Sequence, residues 1–381
     1  MAFTNPRSYL LAGLAMTALA KAADFQETSD NDCDCFVTNG TDAKYFTSHN
    51  FYDFRSLSQY ANVPEPINDP QDSSNAPPAS DYFKQSPWMD SWGIQAWNNS
   101  GNQDDEAKLL MVNSPSNVYI EKNKDRDPES DTFLTLRTMR HDEFQSAAEF
   151  ESIPMSYHFL SARIYARTVG AKGAISAMFT YRKSDDPNLI QEADLEIRTI
   201  DPPDTIQYTN QPSYSRTGDT VSQATQNATV PRSWEEWSVH RVDWHPKTTT
   251  WYVDGQNVSQ IGFQTPRDPA QVIFNMWSEG TVWTGNMTRG DAAYMQIQWI
   301  ELLYNSTGDA TTASNGNVRH DVETKHVVKR KNDGCKMVCS VDESHKIGTA
   351  VLVANDASSV EGVSSPLGFA FALFVTLFAM V

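Results

Sequence analysis

Seven residues, Gln191-Glu192-Ala193-Asp194-Leu195-Glu196-Ile197, constrain the fold more than any other stretch of the chain. Acidic and aliphatic side chains alternate there with period two. Successive side chains of a β-strand point to opposite faces. Glu192, Asp194 and Glu196 therefore share one face, and Ala193, Leu195 and Ile197 share the other. The aliphatic face must cover a core, and the acidic face must look away from it.

The surrounding sequence has the same extended texture. Residues 132–137, 174–179 and 239–244 alternate roughly with period two, and 296–302 reads as a further strand. Thr249–Val253 runs into Asp254-Gly255, a two-residue hairpin signal. Long amphipathic helical patterns are lacking; residues 144–151 read as a helical turn or an irregular strand. Many short strands separated by turn signals predict an all-β sandwich or barrel. Residues 61–87, rich in Pro, Ser, Asn and Asp, read as a long surface loop.

The ends of the 381-residue chain have a different character. Residues 1–22 carry Arg7, an apolar stretch from Tyr9 to Ala20, and Ala20-Lys21-Ala22, the pattern of a cleaved secretion signal. Pro366 to Val381 is almost wholly apolar and follows a small, polar run around Asn355–Ser359, the pattern of a glycolipid-anchor signal over 356–381. The expected organisation is a signal at 1–22, a β-sandwich domain at 23–305, a polar cysteine-containing tail at 306–355 and a removed anchor signal. The expected location is the cell surface, with the membrane reached through the anchor. Six Asn-x-Ser/Thr triplets, at Asn39, Asn98, Asn227, Asn257, Asn286 and Asn305, suit a glycosylated, secreted chain.

Cys33, Cys35, Cys335 and Cys339 form a close pair near each end. An oxidising compartment favours disulfides over a metal site. Three connectivities are possible. A Cys33–Cys35 bridge is disfavoured by strain, so we expect bridges between the N-terminal and C-terminal pairs. The formal charge is −18, and loss of Arg7 and Lys21 with the signal takes it to −20. Such an acidic surface argues against nucleic acid and anionic lipid as partners and is compatible with a neutral polysaccharide.

Three acids on one strand face allow several chemistries. They can form a solvated surface, hold a hard cation such as calcium, or divide the work of glycoside cleavage. For the last, Cα atoms four residues apart on a strand lie about 13 Å apart, and two Glu side chains can lean toward each other across that gap. One carboxylate attacks the sugar carbon while the other protonates the leaving oxygen and then deprotonates water. An acid between them can orient a neighbour and push the pKa values apart.

Glu192-Ala193-Asp194-Leu195-Glu196 resembles the active-site signature of family 16 glycoside hydrolases. Residues 49–55, 240–246 with 251–255, and 274–280 resemble the family's opening strand, the paired strands after the site and an aromatic strand beside the cleft. The resemblance spans about residues 36–305 and is nearest the fungal, surface-anchored branch. It implies a jelly-roll β-sandwich that cleaves β-1,3- or β-1,3/1,4-glucan with retention. Glu192 would be the nucleophile, Asp194 the assisting acid and Glu196 the general acid/base. No cofactor or metal is implied, and a monomer is expected. Ala193 departs from the larger aliphatic residue usual there, and residues 177–181 lack the tryptophan-rich lead-in of many bacterial members. A wall-remodelling transglycosylase would use the same acids, and an inactive glucan-binding lectin would share the fold.

Flat aromatic rings cover the apolar faces of sugars. Of ten tryptophans, Trp277 and Trp283 are the first candidates for the cleft, with Tyr181 beside them and Trp92 and Trp97 behind. Trp244, Trp251 and Trp299 are assigned to packing. His240 either reaches a substrate hydroxyl or is a satisfied structural residue.

Overall fold

The computed structural model describes residues 25–40, 44–100, 109–307 and 335–354. The signal and anchor segments lie outside the described residues. Within them the chain is an all-β jelly-roll sandwich with one short α-helix, Trp88–Ser91, and a few 3-10 turns.

One layer runs in the order Thr225–Thr229, Thr205–Gln211, Gln191–Arg198, Ile175–Arg182, Gln271–Trp277 and Phe144–Ser152, with antiparallel neighbours. The other runs from Gln256–Ile261 through Thr248–Val253, Ser238–His245 and Tyr157–Gly170 to Ala292–Ser306, which also pairs with Ser48–Asp53 and Thr132–Arg140. Phe144–Ser152 is a nine-residue strand, not a helical turn. It pairs with Gln271–Trp277 at one end and Thr132–Arg140 at the other, joining the two layers.

Why the layers close is legible in the alternation. Ala193, Leu195 and Ile197 are at most 3% exposed and belong to the same core as Met178, Phe274, Leu160, Ile164, Trp244 and Ile300. Burying such side chains stabilises by about 1.5–3 kcal/mol each for the larger ones. The hairpin at Asp254-Gly255 forms as its dipeptide predicts, with φ of 47° and 76° at the two turn residues. The Pro-rich 61–87 segment does more than cover the surface. Its Tyr82 and Phe83 are buried with Trp88 in the main core.

Residues 335–354 are not simply a polar tail. Val338–Ser340 and Ala350–Ala354 join Glu27–Thr28, Cys35–Val37 and Tyr45–Phe46 in a separate five-stranded sheet. Cys33–Cys339 and Cys35–Cys335 disulfides tie the two chain ends together there, as the cysteine spacing predicts. Ion pairs, most of their members buried, fasten this sheet to the sandwich. Arg163 pairs with Asp342, and His49 bridges Asp30 at 2.9 Å and Glu301 at 3.1 Å.

Candidate active site

The Gln191–Arg198 strand sits between Ile175–Arg182 and Thr205–Gln211. Its acidic face forms part of the floor of a groove whose cavity measures about 360 Å³. Side chains directly opposite one another on paired strands share a face, so the register places whole rungs across that floor. Glu149, Asn275, Ala177, Glu196 and Gln207 form one rung. Glu151, Ile273, Phe179, Asp194 and Thr209 form the next. Gln271, Tyr181, Glu192 and Gln211 form the third. Glu192, Asp194 and Glu196 all border the cavity, so the three acids that the alternation aligns do meet at one site.

Electrostatics distinguish them. Burial pushes Glu192 up to about 7, opposed by a hydrogen bond with Asp194. Burial, and then the charges of Glu192 and Glu196, hold Asp194 well above the usual carboxylate range. Burial, and then Glu192, push Glu196 up to about 8. Desolvation disfavours the charged form, and close like charges prevent all three from ionising together. Gln207 Nε2 donates to Glu196 Oε2 at 3.1 Å, and Gln211 Nε2 donates to Asp194 Oδ2 at 3.4 Å. The site therefore holds protons near neutral pH and supplies amides that orient the carboxyls.

The aromatic candidates separate. Trp277 borders the groove, and Trp283 packs against it with ring centroids 5.9 Å apart. Arg198, clamped by Asp201 at 2.8 Å, lies over the Trp283 ring. Tyr181 stands opposite Glu192, but Phe179 rather than Tyr181 borders the cavity. Trp92 is a correction. It is 2% exposed, wedged between Phe150, Phe274 and Tyr52 in the core, and touches no groove. Trp97 does line the groove, 43% exposed, and its Nε1 donates to Glu149 Oε1 at 2.7 Å. His240 is also corrected. It is buried among core strands, neither ring nitrogen has a hydrogen-bond partner, and burial lowers its pKa to about 4. Trp244, Trp251 and Trp299 are buried, as their assignment to packing requires.

Sequence reasoning missed the far wall. Glu149 accepts from Trp97 and from Asn275 Nδ2 at 3.3 Å, and burial, with Glu151 adding to it, pushes its pKa up to about 7. The available signal was the alternation of Gln145, Ala147, Glu149 and Glu151, obscured by Ala-Ala and two Phe within the same run. Among the described residues, no group of three or more His, Cys, Asp or Glu is arranged to hold a metal ion.

An all-β sandwich with a groove floored by a row of protonatable carboxyls has the parts that acid-assisted glycoside cleavage needs. A model of the glycosyl hydrolases family 16 matches residues 108–301, just over half of the chain, and the chain belongs to that family. It is similar to a xylanase/beta-glucanase of Ruminococcus flavefaciens, 24% identical over 232 residues, 60% of this chain and 26% of that protein. It is also similar to a beta-glucanase of Bacillus licheniformis, 25% identical over 130 residues, 34% of this chain and 51% of that one. The chain thus spans about half or less of the length of these relatives. The solved endo-beta-1,3-glucanase of Pyrococcus furiosus aligns with a TM-score of 0.46 at 16% identity, covering 71% of this chain and 99% of that one.

Proposed function

We propose that this protein is a retaining endo-β-glucanase that cleaves β-1,3- or β-1,3/1,4-glucan by double displacement. The observation that carries this reading is the row Glu192, Asp194, Glu196 on the floor of one groove. Glu192 attacks the anomeric carbon while Glu196, protonated near neutral pH through burial, gives its proton to the leaving oxygen. A glycosyl ester on Glu192 results. Glu196, now ionised, takes a proton from water, which attacks the anomeric carbon, and the bond from that carbon to the Glu192 oxygen breaks. Asp194 keeps its own proton and hydrogen-bonds Glu192, steadying that carboxylate before attack. Trp277, backed by Trp283, offers an apolar ring for a sugar face. The names of the relatives and their glucan activities support this substrate class.

The test is product analysis on a panel of β-glucans, with and without a labelled acceptor oligosaccharide. Short oligosaccharides of retained anomeric configuration are expected from at least one β-1,3-containing glucan. Transfer of the label into longer products would instead make it a transglycosylase, and binding without any cleavage would make it a lectin. We further propose that the chain is exported, glycosylated and held at the cell surface by a glycolipid, nearest the fungal, surface-anchored branch. The apolar segments at 9–20 and 366–381 support this. Release of the protein from membranes by a phosphatidylinositol-specific phospholipase tests the anchor.

A further inference from the structure

Among the described residues, the groove is bordered on one flank. Its bordering residues come from the Gln191–Arg198 strand and from elements on the Ile175–Arg182 side. Among the described residues, none comes from Thr205–Gln211 or Thr225–Thr229, although both strands continue the same floor. Beyond Glu196 the rung runs on to Gln207 and then to Asn227. Asn227 therefore faces the same side as Glu196, two strands away, or about 10 Å between Cα atoms. The facing is fixed independently. Thr209 and Thr225 hydroxyls meet at 3.2 Å on this side, while Gln226 turns the other way to bond Ser259 and Gln260.

Asn227-Ala228-Thr229 is an N-glycosylation triplet. Asn227 is exposed on the edge strand, and its amide makes no hydrogen bond among the described residues. Two other triplets contrast with it. Asn305 accepts from Thr47 N at 3.0 Å and donates to Tyr45 O, and Asn39 donates to Glu343.

We propose that Asn227 carries an N-linked glycan that caps the open flank of the groove and limits how much of a glucan chain can lie there. The inference rests on the glucan reading above. The donor is an oligosaccharide on a lipid diphosphate. A bond forms between Asn227 Nδ2 and the anomeric carbon, the anomeric C–O bond to the diphosphate breaks, and the amide gives up one proton. The attached sugar is bulky and hydrophilic. At this position it covers the polar shelf of Gln207 and Thr225, both half-buried, and it also shields the edge of the sheet from pairing.

The full chain secreted from a eukaryotic host provides the test. Peptides released with peptide-N-glycosidase in ¹⁸O-water are expected to show Asn227 converted to ¹⁸O-labelled Asp; an unlabelled Asn227 overturns the proposal. Chain binding is then read by affinity electrophoresis in soluble β-glucan, in a Glu192→Gln background that spares the gel. Thr229→Ala, which destroys the triplet, is expected to bind about threefold more tightly than the parent, while Thr229→Ser, which keeps it, matches the parent. Equal retardation of a labelled parent and Thr229→Ala overturns the capping role. If no form is retarded by any glucan while Asn227 is labelled, the glucan reading fails and the capping effect with it, but the attachment site stands.

Discussion

Gln207 Nε2 reaches across one rung of the groove floor to Glu196 Oε2, 3.1 Å away. This bond favours the ionised carboxylate, so it opposes the upward push of burial. Its removal in Gln207→Leu is expected to raise the Glu196 pKa further. The alkaline limb of the kcat/KM profile should then move up by about one pH unit. A limb that stays in place would mean that Gln207 does not act on the proton donor.

Glu196 itself links activity to stability. Its folded pKa, about 8, lies above the ordinary 4.5. A carboxyl raised in this way stabilises fully below 4.5, and that contribution is lost as pH climbs through 8. Glu196→Gln is neutral at every pH, so it should raise Tm by about 2–4 °C at pH 8 and leave it unchanged at pH 4. The same variant should lose the alkaline limb of the rate profile. Thermal melts across that range check the stability claim.

The alternation at 191–197 made this strand, its two faces and the acid row legible, because period two is a local property of the chain. The hairpin at Asp254-Gly255 was local too. What the sequence hid depended on partners far away in it. Trp92 and Trp97 lie five residues apart with similar surroundings, yet one fills the core and the other walls the groove. Only the pairing of Trp92 with Ser152 and the approach of Glu149 to Trp97 separate them. The small disulfide-tied sheet was hidden for the same reason. Its strands come from segments about 300 residues apart, and although the cysteines predict that these segments are tied together, the polar 306–355 stretch carries no alternation that marks its strands.

Core and groove positions predict opposite mutational signatures, as Trp92 and Trp277 show. Trp277→Ala removes a half-buried ring that borders the groove beside the acids, so KM on laminarin should rise about tenfold with kcat within about twofold. Trp92→Ala leaves a core cavity, so stability should fall by about 3–5 kcal/mol with KM unchanged at temperatures where the protein stays folded. Denaturant melts and steady-state kinetics on both variants check the pair. A change in KM for Trp92→Ala with no loss of stability would contradict the core assignment.

The clasp between the chain ends should matter for stability alone. Replacing Cys33 and Cys339 together by Ser is expected to cost about 2–5 kcal/mol. His49 adds a pH dependence there. Burial alone would lower its pKa, but hydrogen bonds to Asp30 and Glu301 overcome it and raise the value to about 9. The stability it contributes is complete below 6.5 and disappears as pH rises through 9. His49→Gln should therefore flatten the alkaline decline in Tm, with no effect on the acid limb of activity.

The proposed role of Glu192 as nucleophile can be tested directly. Glu192→Gln is expected to lower kcat by at least about a thousandfold. The more direct measurement uses a 2-deoxy-2-fluoro β-glucoside with a good leaving group, followed by peptide mapping of the inactivated protein. One added glycosyl mass is expected, on the peptide carrying Glu192 and at that residue. A label on another carboxyl, or brisk hydrolysis with Glu192 never labelled and its Gln variant fully active, would contradict it.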